Sequence, residues 1–402
     1  MFKGAKFDLI LAAAVGFLLI FGLIMITSIG VPKSISLSAP GILYPSCTDE
    51  GVDCYLLFKK HLFRLSVALV VFLVAWRLPM RFWKAIAPAL FIATIIALFL
   101  VYFIGSSYGT IAKAWIVIFN TSIQPSEFSK LAFVLYLAYW FSKKGNQVGD
   151  LKDGFIPFCI ICVIMIIPII LQNDFGTTLL LTVIGAAMFF NAGAKLRHIG
   201  LGVLIAIMAV TVIISVSEHV EKRFKGFSTI AEDCIEDYCW QSRQANIAIG
   251  TGGFFGKGLT QGVQKSYWLP QATDDFIFAA SAEELGFVRI IFVVLAYLVI
   301  AYRGFIIANN AKNSFEMLVA TGLTTWIVFQ AFINIAVNTA LMPVTGITLP
   351  FISYGGSSLM ACLAAIGILL HISQQTNSHE SAIDRRGDRR ARSTQPGRYR
   401  RA

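Results

Sequence analysis

Two adjacent carboxylates, Asp274 and Asp275, stand at the start of an apolar stretch in a chain that consists mostly of such stretches. An ionised carboxylate is costly beside hydrocarbon, so acids at this boundary mark either a site or a structural pairing. Burial there raises a carboxylate pKa toward the range that suits a general base. The simplest alternative is that Thr273, Asp274 and Asp275 cap the following helix. Capping accounts for one acid, which leaves the other as a candidate base.

The composition identifies the class of protein that must position these acids. The 402 residues are 57% hydrophobic and 14% charged, which excludes a soluble domain. Apolar runs of about 17 to 25 residues, the length that crosses a bilayer, occur about ten times. They begin near Leu9, Leu62, Ala85, Phe128, Gly154, Thr177, Ile199, Phe276, Phe315 and Phe351. The sequence therefore predicts an all-α polytopic membrane protein with about ten transmembrane helices.

The distribution of Lys and Arg predicts the orientation of these helices, because short cytoplasmic loops are enriched in both residues. Alternate loops are enriched in Lys and Arg, which predicts that both termini lie in the cytoplasm. The same pattern predicts one large extracytoplasmic loop, about residues 218–275, between helices 7 and 8. Residues 1–372 form the predicted membrane domain. Residues 373–402 are polar and rich in Arg, so we expect a disordered cytoplasmic tail. The tail suits anionic lipid headgroups or an acidic partner, but a solvated tail without a partner fits equally well.

Four of the seven cysteines fall in the two long loops that this topology places outside the membrane. Cys47 with Cys54 and Cys234 with Cys239 have a spacing that fits disulfides in an oxidising compartment. Free thiols are the alternative, because spacing does not determine pairing. The remaining cysteines, in apolar spans, are expected to be packing residues with free thiols.

Several acids interrupt the spans near their outer ends. Glu127 and Lys130 lie one turn apart at a predicted helix start, where an ion pair that caps the span is the simplest interpretation. Asp174 follows in an outer turn and is a candidate helix cap. Glu283 and Glu284 lie about two turns into the span that starts near Phe276. Unpaired acids there are expensive, so we expect both to pair with polar groups in the bundle.

Two further segments carry candidate binding residues. The large outer loop is basic and rich in glycine, which suits an anionic diphosphate or sugar-phosphate headgroup. Residues 343–358 combine Pro and Gly, and irregular backbone at membrane depth is tolerated only where it lines a cavity inside the protein. The candidates are Arg223, Arg243, Lys257 and Lys265 in the loop, and Ser353 and Ser357 in the second segment.

Long motifs follow one another in order along essentially the whole chain: QPSEFSK, NDFGTT, IAIGTGGFFGKGL, LPQATDDFIFAASAEELG and LPFISYGGSS. They resemble the motifs of the SEDS (shape, elongation, division and sporulation) membrane glycosyltransferases. The resemblance implies a ten-helix peptidoglycan polymerase on the outer face of the bacterial cytoplasmic membrane. The family's essential Asp falls on Asp275, and its other motif residues fall on Glu127, Lys130 and Asp174. The family's Arg before Trp is absent here, and Lys113 is close enough to replace it.

The resemblance also implies a reaction and partners. Asp275 acts as general base on the 4-hydroxyl of lipid II in an inverting transfer, and undecaprenyl pyrophosphate leaves the growing glycan. Basic loop residues stabilise the leaving group, and a divalent cation, Mg²⁺ or Mn²⁺, is a possible cofactor. The expected partners are a class B penicillin-binding protein, which is a transpeptidase, and other divisome or elongasome membrane proteins, but no nucleic acid. The Arg-rich tail favours the division member of the family.

Two other functions remain open at this point. A lipid II flippase also needs a lateral cavity and charge in the membrane, but alternating access usually leaves inverted repeats and broken helices at the midplane. The polar features here lie at the outer ends of the spans instead. A noncatalytic scaffold for division enzymes needs no Asp at all.

Overall fold

A computed structural model describes residues 7–39, 45–105, 114–118, 121–216, 218–228 and 237–393. The fold is helical, with one small hairpin. In chain order the elements are α1 (Leu9–Ile29), α2 (Val31–Ser38), α3 (Leu56–Arg77), α4 (Met80–Ile104), β1 (Ile116–Ile118), β2 (Thr121–Ile123), α5 (Pro125–Lys144), α6 (Ile156–Leu171), α7 (Phe175–Asn191), α8 (Leu196–Val216), α9 (Glu218–Ser228), α10 (Asp237–Gly252), α11 (Ile277–Leu285), α12 (Phe287–Asn309), α13 (Ser314–Asn338) and α14 (Gly356–Ser393).

The helices have the dimensions of a polytopic membrane protein. Within the described ranges, six helical segments are long and apolar enough to cross a membrane, and α7 and α8 are shorter apolar helices. Each predicted span overlaps a helix, whereas the total of ten and the sidedness stay predictions. The two-stranded antiparallel hairpin β1–β2 is an addition to the predicted all-α architecture. The most buried span segments are α13 and the first half of α14, which form the middle of the bundle.

The span predicted from Phe276 is wrong at its start. A short buried helix, α11, ends at Leu285, and the membrane-length helix α12 begins at Phe287 after the single residue Gly286. Gly286 has a φ of +75°, a left-handed conformation that glycine adopts without steric cost. Glu283 and Glu284 consequently lie on the short helix and not in the span. Hydrophobic runs do not reveal such a break, because α11 and α12 are both apolar.

Three other segments differ from the sequence-based expectation. The segment that we predicted as the large outer loop contains two helices, α9 and α10, and the run IAIGTG forms the end of α10. The last span begins at Gly356 and not near Phe351. Helix α14 continues to Ser393 through residues that we predicted to be disordered. Residues 373–393 include five Arg, two Gln and two Ala, which favour helix, and the first Pro follows only at Pro396.

The cysteine predictions are confirmed where the structure describes the residues. Cys47 and Cys54 form a disulfide with a Cα–Cα distance of 5.7 Å. Cys239 is disulfide-bonded, whereas Cys234 lies outside the described residues. The three remaining cysteines, Cys159, Cys162 and Cys362, are free.

The segment between α13 and α14 is irregular, as its Pro and Gly content predicts, and it crosses the bundle against α1. A Cβ atom on Gly22 of α1 would lie 2.8 Å from Ile352 Cα and 2.8 Å from the carbonyl oxygen of Phe351. Phe351 itself has a φ of +67°, which is unusual for a bulky residue. Only glycine therefore lets α1 approach this strained turn.

We predict that Gly22→Ala lowers the thermal stability of the purified chain, because the added methyl meets backbone that cannot move aside. Overpacking of this kind costs about 1–3 kcal/mol. Gly16→Ala on the same helix is the matched control, since a Cβ there meets nothing within 4 Å. Alanine favours helix over glycine by about 1 kcal/mol, so the control keeps or gains stability. Equal melting temperatures for the two variants would contradict the close approach.

Candidate functional site

The two acids of the opening motif lie in a turn before α11 and do not cap it. The N-cap residue of α11 is Phe276, and no side chain there accepts a capping hydrogen bond. Asp274 instead forms an ion pair with Lys33 of α2, with 2.5 Å between Lys33 Nζ and Asp274 Oδ2. Lys33 also donates hydrogen bonds to Thr273 Oγ1 at 3.3 Å and to Gln271 Oε1 at 3.4 Å. The capping alternative is therefore wrong for this turn.

The backbone of Asp275 is held by two asparagines of α13. Asn334 Nδ2 and Asn338 Nδ2 donate to the carbonyl oxygen of Asp275 at 2.8 and 2.9 Å. Asn338 also accepts from the backbone N–H of Ala279 through Oδ1 at 2.9 Å. Both amides are almost fully buried, so these bonds are shielded from competing water. The bonds fix the turn and leave the Asp275 carboxylate without a hydrogen-bond or ion-pair partner among the described residues.

The segment after α13 holds the same turn from the other side. Ser353 Oγ donates to the carbonyl oxygen of Asp274 at 2.6 Å and accepts from Leu349 N at 2.8 Å. The N–H of Tyr354 donates to the carbonyl oxygen of Thr273 at 2.9 Å. Ser353 is therefore a positioning residue in this structure, although we predicted that it binds substrate.

Charges of both signs act on the Asp275 carboxylate. Burial raises the pKa of Asp275 to about 7, and the charge of Asp274 acts in the same direction. Lys33 and Arg223 lower this pKa, and Asp174 raises it. Burial lowers the pKa of Arg223, which the charges of Asp174 and Asp275 oppose. A carboxylate that titrates near neutrality beside an arginine is suited to proton transfer next to an anionic group.

Asp174 is a helix cap, as predicted, and also part of this charged region. Its carboxylate accepts from the N–H of Thr177 at 3.0 Å, from Thr177 Oγ1 at 2.8 Å and from Ser126 Oγ at 3.2 Å. Burial is the main cause that raises the Asp174 pKa, while the hydrogen bonds from Thr177 lower it. The charges of Lys130 and Glu127 also act on Asp174, so this residue connects Arg223 to the pair on α5.

The predicted pair on α5 is a buried ion pair. Lys130 Nζ lies 2.7 Å from Glu127 Oε2 and donates to Gln330 Oε1 of α13 at 3.0 Å. Gln330 Nε2 in turn donates to the carbonyl oxygen of Thr348 at 3.0 Å. The pair thus ties α5 to α13 and to the irregular segment. A buried pair of this kind is strongly destabilising to break, because one charge would be left unpaired.

Lys257 and Lys265 are engaged in ion pairs of their own. Lys257 Nζ lies 2.7 Å from Glu283 Oε1, and Lys265 Nζ lies 2.6 Å from Glu284 Oε1. Both carboxylates are fully buried and also accept backbone N–H groups from residues 260–264. The expectation that Glu283 and Glu284 pair with polar groups is confirmed. The two lysines stabilise the loop through these pairs, and their contact with substrate stays a prediction.

The remaining candidates are distributed around this centre. Arg243 is exposed on α10 and forms no ion pair within the described residues. Ser357 accepts from the backbone N–H of Gln124 at 3.0 Å and so positions the start of α5. Lys113 lies outside the described residues. The site therefore assembles Asp275, Arg223, Asp174, Lys130 and Glu127, whereas the serines serve the backbone.

A dedicated cation site does not fit this arrangement. In the part of the chain that the structure describes, no group of three or more His, Cys, Asp and Glu side chains could hold a metal ion. Mg²⁺ in enzymes of phosphate chemistry is often held by one or two carboxylates and substrate phosphates. Binding of Mg²⁺ or Mn²⁺ in this way stays a prediction.

Sequence reasoning missed Lys33, Asn334 and Asn338. Lys33 stands in a loop that we considered only for its cysteines. The two asparagines carried a usable signal: two amides four residues apart share one face of an apolar helix and need buried partners. The pattern indicates a polar contact but does not say that the contact is the turn at Asp275.

Comparisons with known proteins identify the family. A family model described as a cell cycle protein, FtsW/RodA/SpoVE, matches residues 9–378. A probable peptidoglycan glycosyltransferase FtsW of Trichlorobacter lovleyi is 35% identical over 374 residues, which are 92% of this chain and 94% of the relative. Stage V sporulation protein E of Bacillus subtilis is 34% identical over 325 residues, 80% of this chain and 88% of that protein.

Solved structures share the fold. A structure described as the structural coordination of polymerization and crosslinking by a peptidoglycan synthase complex has a TM-score of 0.73 at 23% identity, covering 92% of this chain and 98% of that one. The rod shape determining protein RodA of Thermus thermophilus has a TM-score of 0.66 at 23% identity, covering 92% and 97%. With the family match over most of its length, this chain belongs to the FtsW/RodA/SpoVE family of cell cycle proteins.

Proposed function

We propose that this chain, a peptidoglycan glycosyltransferase of the FtsW/RodA/SpoVE family, polymerises glycan strands from lipid II with Asp275 as general base. The observation that carries the proposal is the state of Asp275. Its backbone carbonyl is held by Asn334 and Asn338, while its carboxylate is unpartnered within the described residues. A held backbone and a free carboxylate are what a positioned base requires.

In the proposed reaction, the 4-hydroxyl of the acceptor lipid II loses its proton to the Asp275 carboxylate. The hydroxyl oxygen attacks the anomeric carbon of the growing glycan from the face opposite its diphosphate, so the configuration inverts. One C–O bond forms, the bond from the anomeric carbon to the diphosphate oxygen breaks, and undecaprenyl diphosphate leaves with the electron pair. Arg223, whose charge acts on Asp275 and Asp174, is suited to stabilise the leaving diphosphate.

The cellular setting follows from the family and the composition. Helices of membrane length support a multi-pass protein, and the family supports the bacterial cytoplasmic membrane. We propose that polymerisation takes place on its outer face. Among the relatives, the FtsW name favours a role in division over elongation, as the Arg-rich tail does. A structural neighbour described as a peptidoglycan synthase complex supports a transpeptidase, a class B penicillin-binding protein, as partner.

Asp275→Asn is the first test of this function. The amide keeps the shape of the side chain but lacks its basicity, so polymerisation of labelled lipid II should fall by about 10²- to 10⁴-fold. The neighbouring Asp274→Asn is the matched variant and should lose much less, because Asp274 pairs with Lys33. Folding is checked by thermal unfolding of both proteins. Wild-type rates for a folded Asp275→Asn chain would remove this residue from the mechanism.

The pH dependence tests the charges around the base. A general base works when deprotonated, so activity should rise with pH through about 7, the pKa of Asp275. Lys33 favours the charged form of the Asp275 carboxylate. Removal of Lys33 should therefore shift the pH range in which activity rises to higher pH. Lys33→Arg, which keeps the positive charge, should leave this pH range unchanged. Lys59→Ala, which removes an exposed cation paired with Asp53, is the control. If activity of the Lys33→Ala chain rises at the same pH as that of the unmodified chain, the electrostatic role of Lys33 is contradicted.

Removal of a backbone contact tests the positioning of Asp275. Asn334→Ala deletes the hydrogen bonds to the carbonyl oxygens of Asp275 and Ile347. Since small displacements of a catalytic group can cost up to about 100-fold, we expect kcat to fall by roughly ten- to a hundredfold with little change in KM. Asn191→Ala, on an exposed asparagine of α7 that bonds its own helix, is the control. Equal kcat values would show that Asn334 does not position the base.

A further inference from the structure

The Cys47–Cys54 disulfide lies in a segment that the mechanism above does not use. It belongs to the connection between α2 and α3, on the side of the bundle that we predicted to be extracytoplasmic. Residues 46–51 are exposed and include Cys47, whereas Cys54 is buried. An exposed disulfide sulfur is open to attack by a thiolate, and exposed disulfides are often labile or regulatory. The thiol–disulfide state of the surrounding compartment can therefore act on this segment.

Helix α2, which precedes the disulfide, has little apolar burial of its own. The structure describes all eight of its residues, and Ser34 is the only buried one. Leu37, the largest aliphatic side chain near its end, is 53% exposed. Elements with few buried apolar contacts open at a low cost in free energy. The position of α2 therefore depends on its polar contacts with neighbouring segments.

Two serines of α2 connect it to the disulfide segment and to α3. Ser38 Oγ accepts from the N–H of Asp53, the residue before Cys54, at 3.1 Å. Ser34 Oγ accepts from the N–H of Leu57, the second residue of α3, at 3.1 Å. A cross-link removes conformational entropy from the open state of a segment, which disfavours opening. The disulfide at Cys54 thus stabilises the contacts that hold α2.

The same helix carries the cation of the Asp275 turn. Lys33 Nζ lies 2.5 Å from Asp274 Oδ2. Lys33 also adjoins Ser34, whose hydroxyl bonds the start of α3. A shift of α2 on α3 therefore displaces Lys33 from Asp274 and changes the charges around Asp275.

We propose that the Cys47–Cys54 disulfide holds α2, and with it Lys33, against the Asp275 turn, so that reduction of this disulfide by a dithiol lowers polymerase activity. The inference rests on the proposed function, because it assigns a redox regulation to the Asp275 site. Lys33 is a positioning residue here, since it acts through the two aspartates and not on the substrate.

The reduction is a thiol–disulfide exchange. A thiolate of the dithiol attacks the exposed Sγ of Cys47, the S–S bond breaks, and its electron pair leaves on Cys54 Sγ, which takes up a proton. The second thiolate of the reductant attacks the mixed disulfide, and Cys47 leaves and is protonated. Two electrons pass to the chain, and the dithiol is oxidised to its own disulfide.

The first test measures the ion pair and not the reaction. The full chain in nanodiscs is treated with a water-soluble carbodiimide, which joins Lys33 to Asp274 through an amide when the two groups are in contact. The linked peptides are quantified by mass spectrometry. The two side chains are 39% and 18% exposed, so the reagent can reach them.

Loss of the disulfide should lower the yield of this link. The Cys47→Ser/Cys54→Ser chain should give about two- to tenfold less product, because an exposed ion pair is weak once its helix is no longer held. The unmodified chain should respond in the same way to dithiothreitol. The dithiothreitol concentration is one at which alkylation labels Cys47 and Cys54 but not Cys239, whose disulfide is protected by an exposure of 1%. If the double variant fails to fold, this selectively reduced chain decides.

Two controls separate this effect from general changes in the protein. The Lys195–Asp150 pair, at which both side chains are exposed, should be linked equally in all chains. The Cys159→Ser/Cys162→Ser chain lacks two free thiols of α6 and should behave as the unmodified chain does. Equal Lys33 yields with and without the disulfide would overturn the proposal. A fall in melting temperature alone would overturn it too, because the disulfide would then stabilise only its own loop.

The second test connects the disulfide to activity. Lys33 favours the charged carboxylate of Asp275, so reduction should lower lipid II polymerisation at pH 7 by about two- to fivefold and shift the pH range in which activity rises upward. Asp274, Arg223 and Asp174 also act on this carboxylate and are present in every chain compared. If the disulfide acts through Lys33, a Lys33→Ala chain should lose no further activity on reduction. A further loss of the same size in that chain would overturn the proposal.

The two readouts distinguish this inference from the proposed function. A chain whose Lys33–Asp274 link depends on the disulfide but that forms no glycan would contradict the polymerase function and leave the positioning of Lys33 in place. A chain that forms glycan at the same rate before and after reduction would overturn the redox inference and leave the polymerase function in place.

Discussion

The geometry of the site is set at one turn, residues 273–275, where three carbonyl oxygens are held by two parts of the bundle, α13 and the segment that follows it. Asn334 and Asn338 bond the carbonyl of Asp275, Ser353 bonds that of Asp274, and the backbone of Tyr354 bonds that of Thr273. In a membrane bundle every buried backbone group must find a partner inside the protein. Here the hydrogen bonds to the three carbonyl oxygens fix the backbone of Asp275, and its carboxylate oxygens accept no hydrogen bond from the described residues.

The same rule explains how the chain tolerates its many internal charges. Lys130 with Glu127, Lys257 with Glu283 and Lys265 with Glu284 are neutralised in pairs. The hydrogen bond from Lys130 to Gln330 joins α5 to α13, and the two lysine–glutamate pairs join the 256–265 loop to α11, so these contacts set the geometry around the site. Charges with weaker local compensation are the exceptions. Asp275 and Arg223 are the ones for which a substrate supplies the missing partner in the proposed reaction.

The helical architecture was predictable, because long hydrophobic runs follow directly from the cost of placing polar groups in lipid. The positions of Asp174 as a cap and of Glu127 beside Lys130 followed from helix geometry. The break at Gly286 was not predictable, since two apolar helices in succession read as one span. Nor were the roles of Lys257 and Lys265: a basic loop indicates an anion, but here the anions are the chain's own buried glutamates.

The asparagines of α13 show why only part of the site could be predicted from the sequence. Asp275 could be singled out from its position at a membrane boundary, but its restraints come from residues about sixty positions away. Such contacts depend on how α13 packs against the turn, which periodicity does not specify. Ser353 was identified for its unusual segment and assigned to substrate, whereas its hydroxyl is used to hold backbone.

The central claim is that this bundle polymerises lipid II rather than transporting it. The most direct measurement uses proteoliposomes that contain the purified chain, a transpeptidase-dead partner and fluorescent lipid II, with product length and lipid sidedness recorded in the same sample. We expect glycan polymers made from lipid II on the side that carries the Asp275 turn, without movement of lipid II between leaflets. Translocation of lipid II without glycan formation would contradict it.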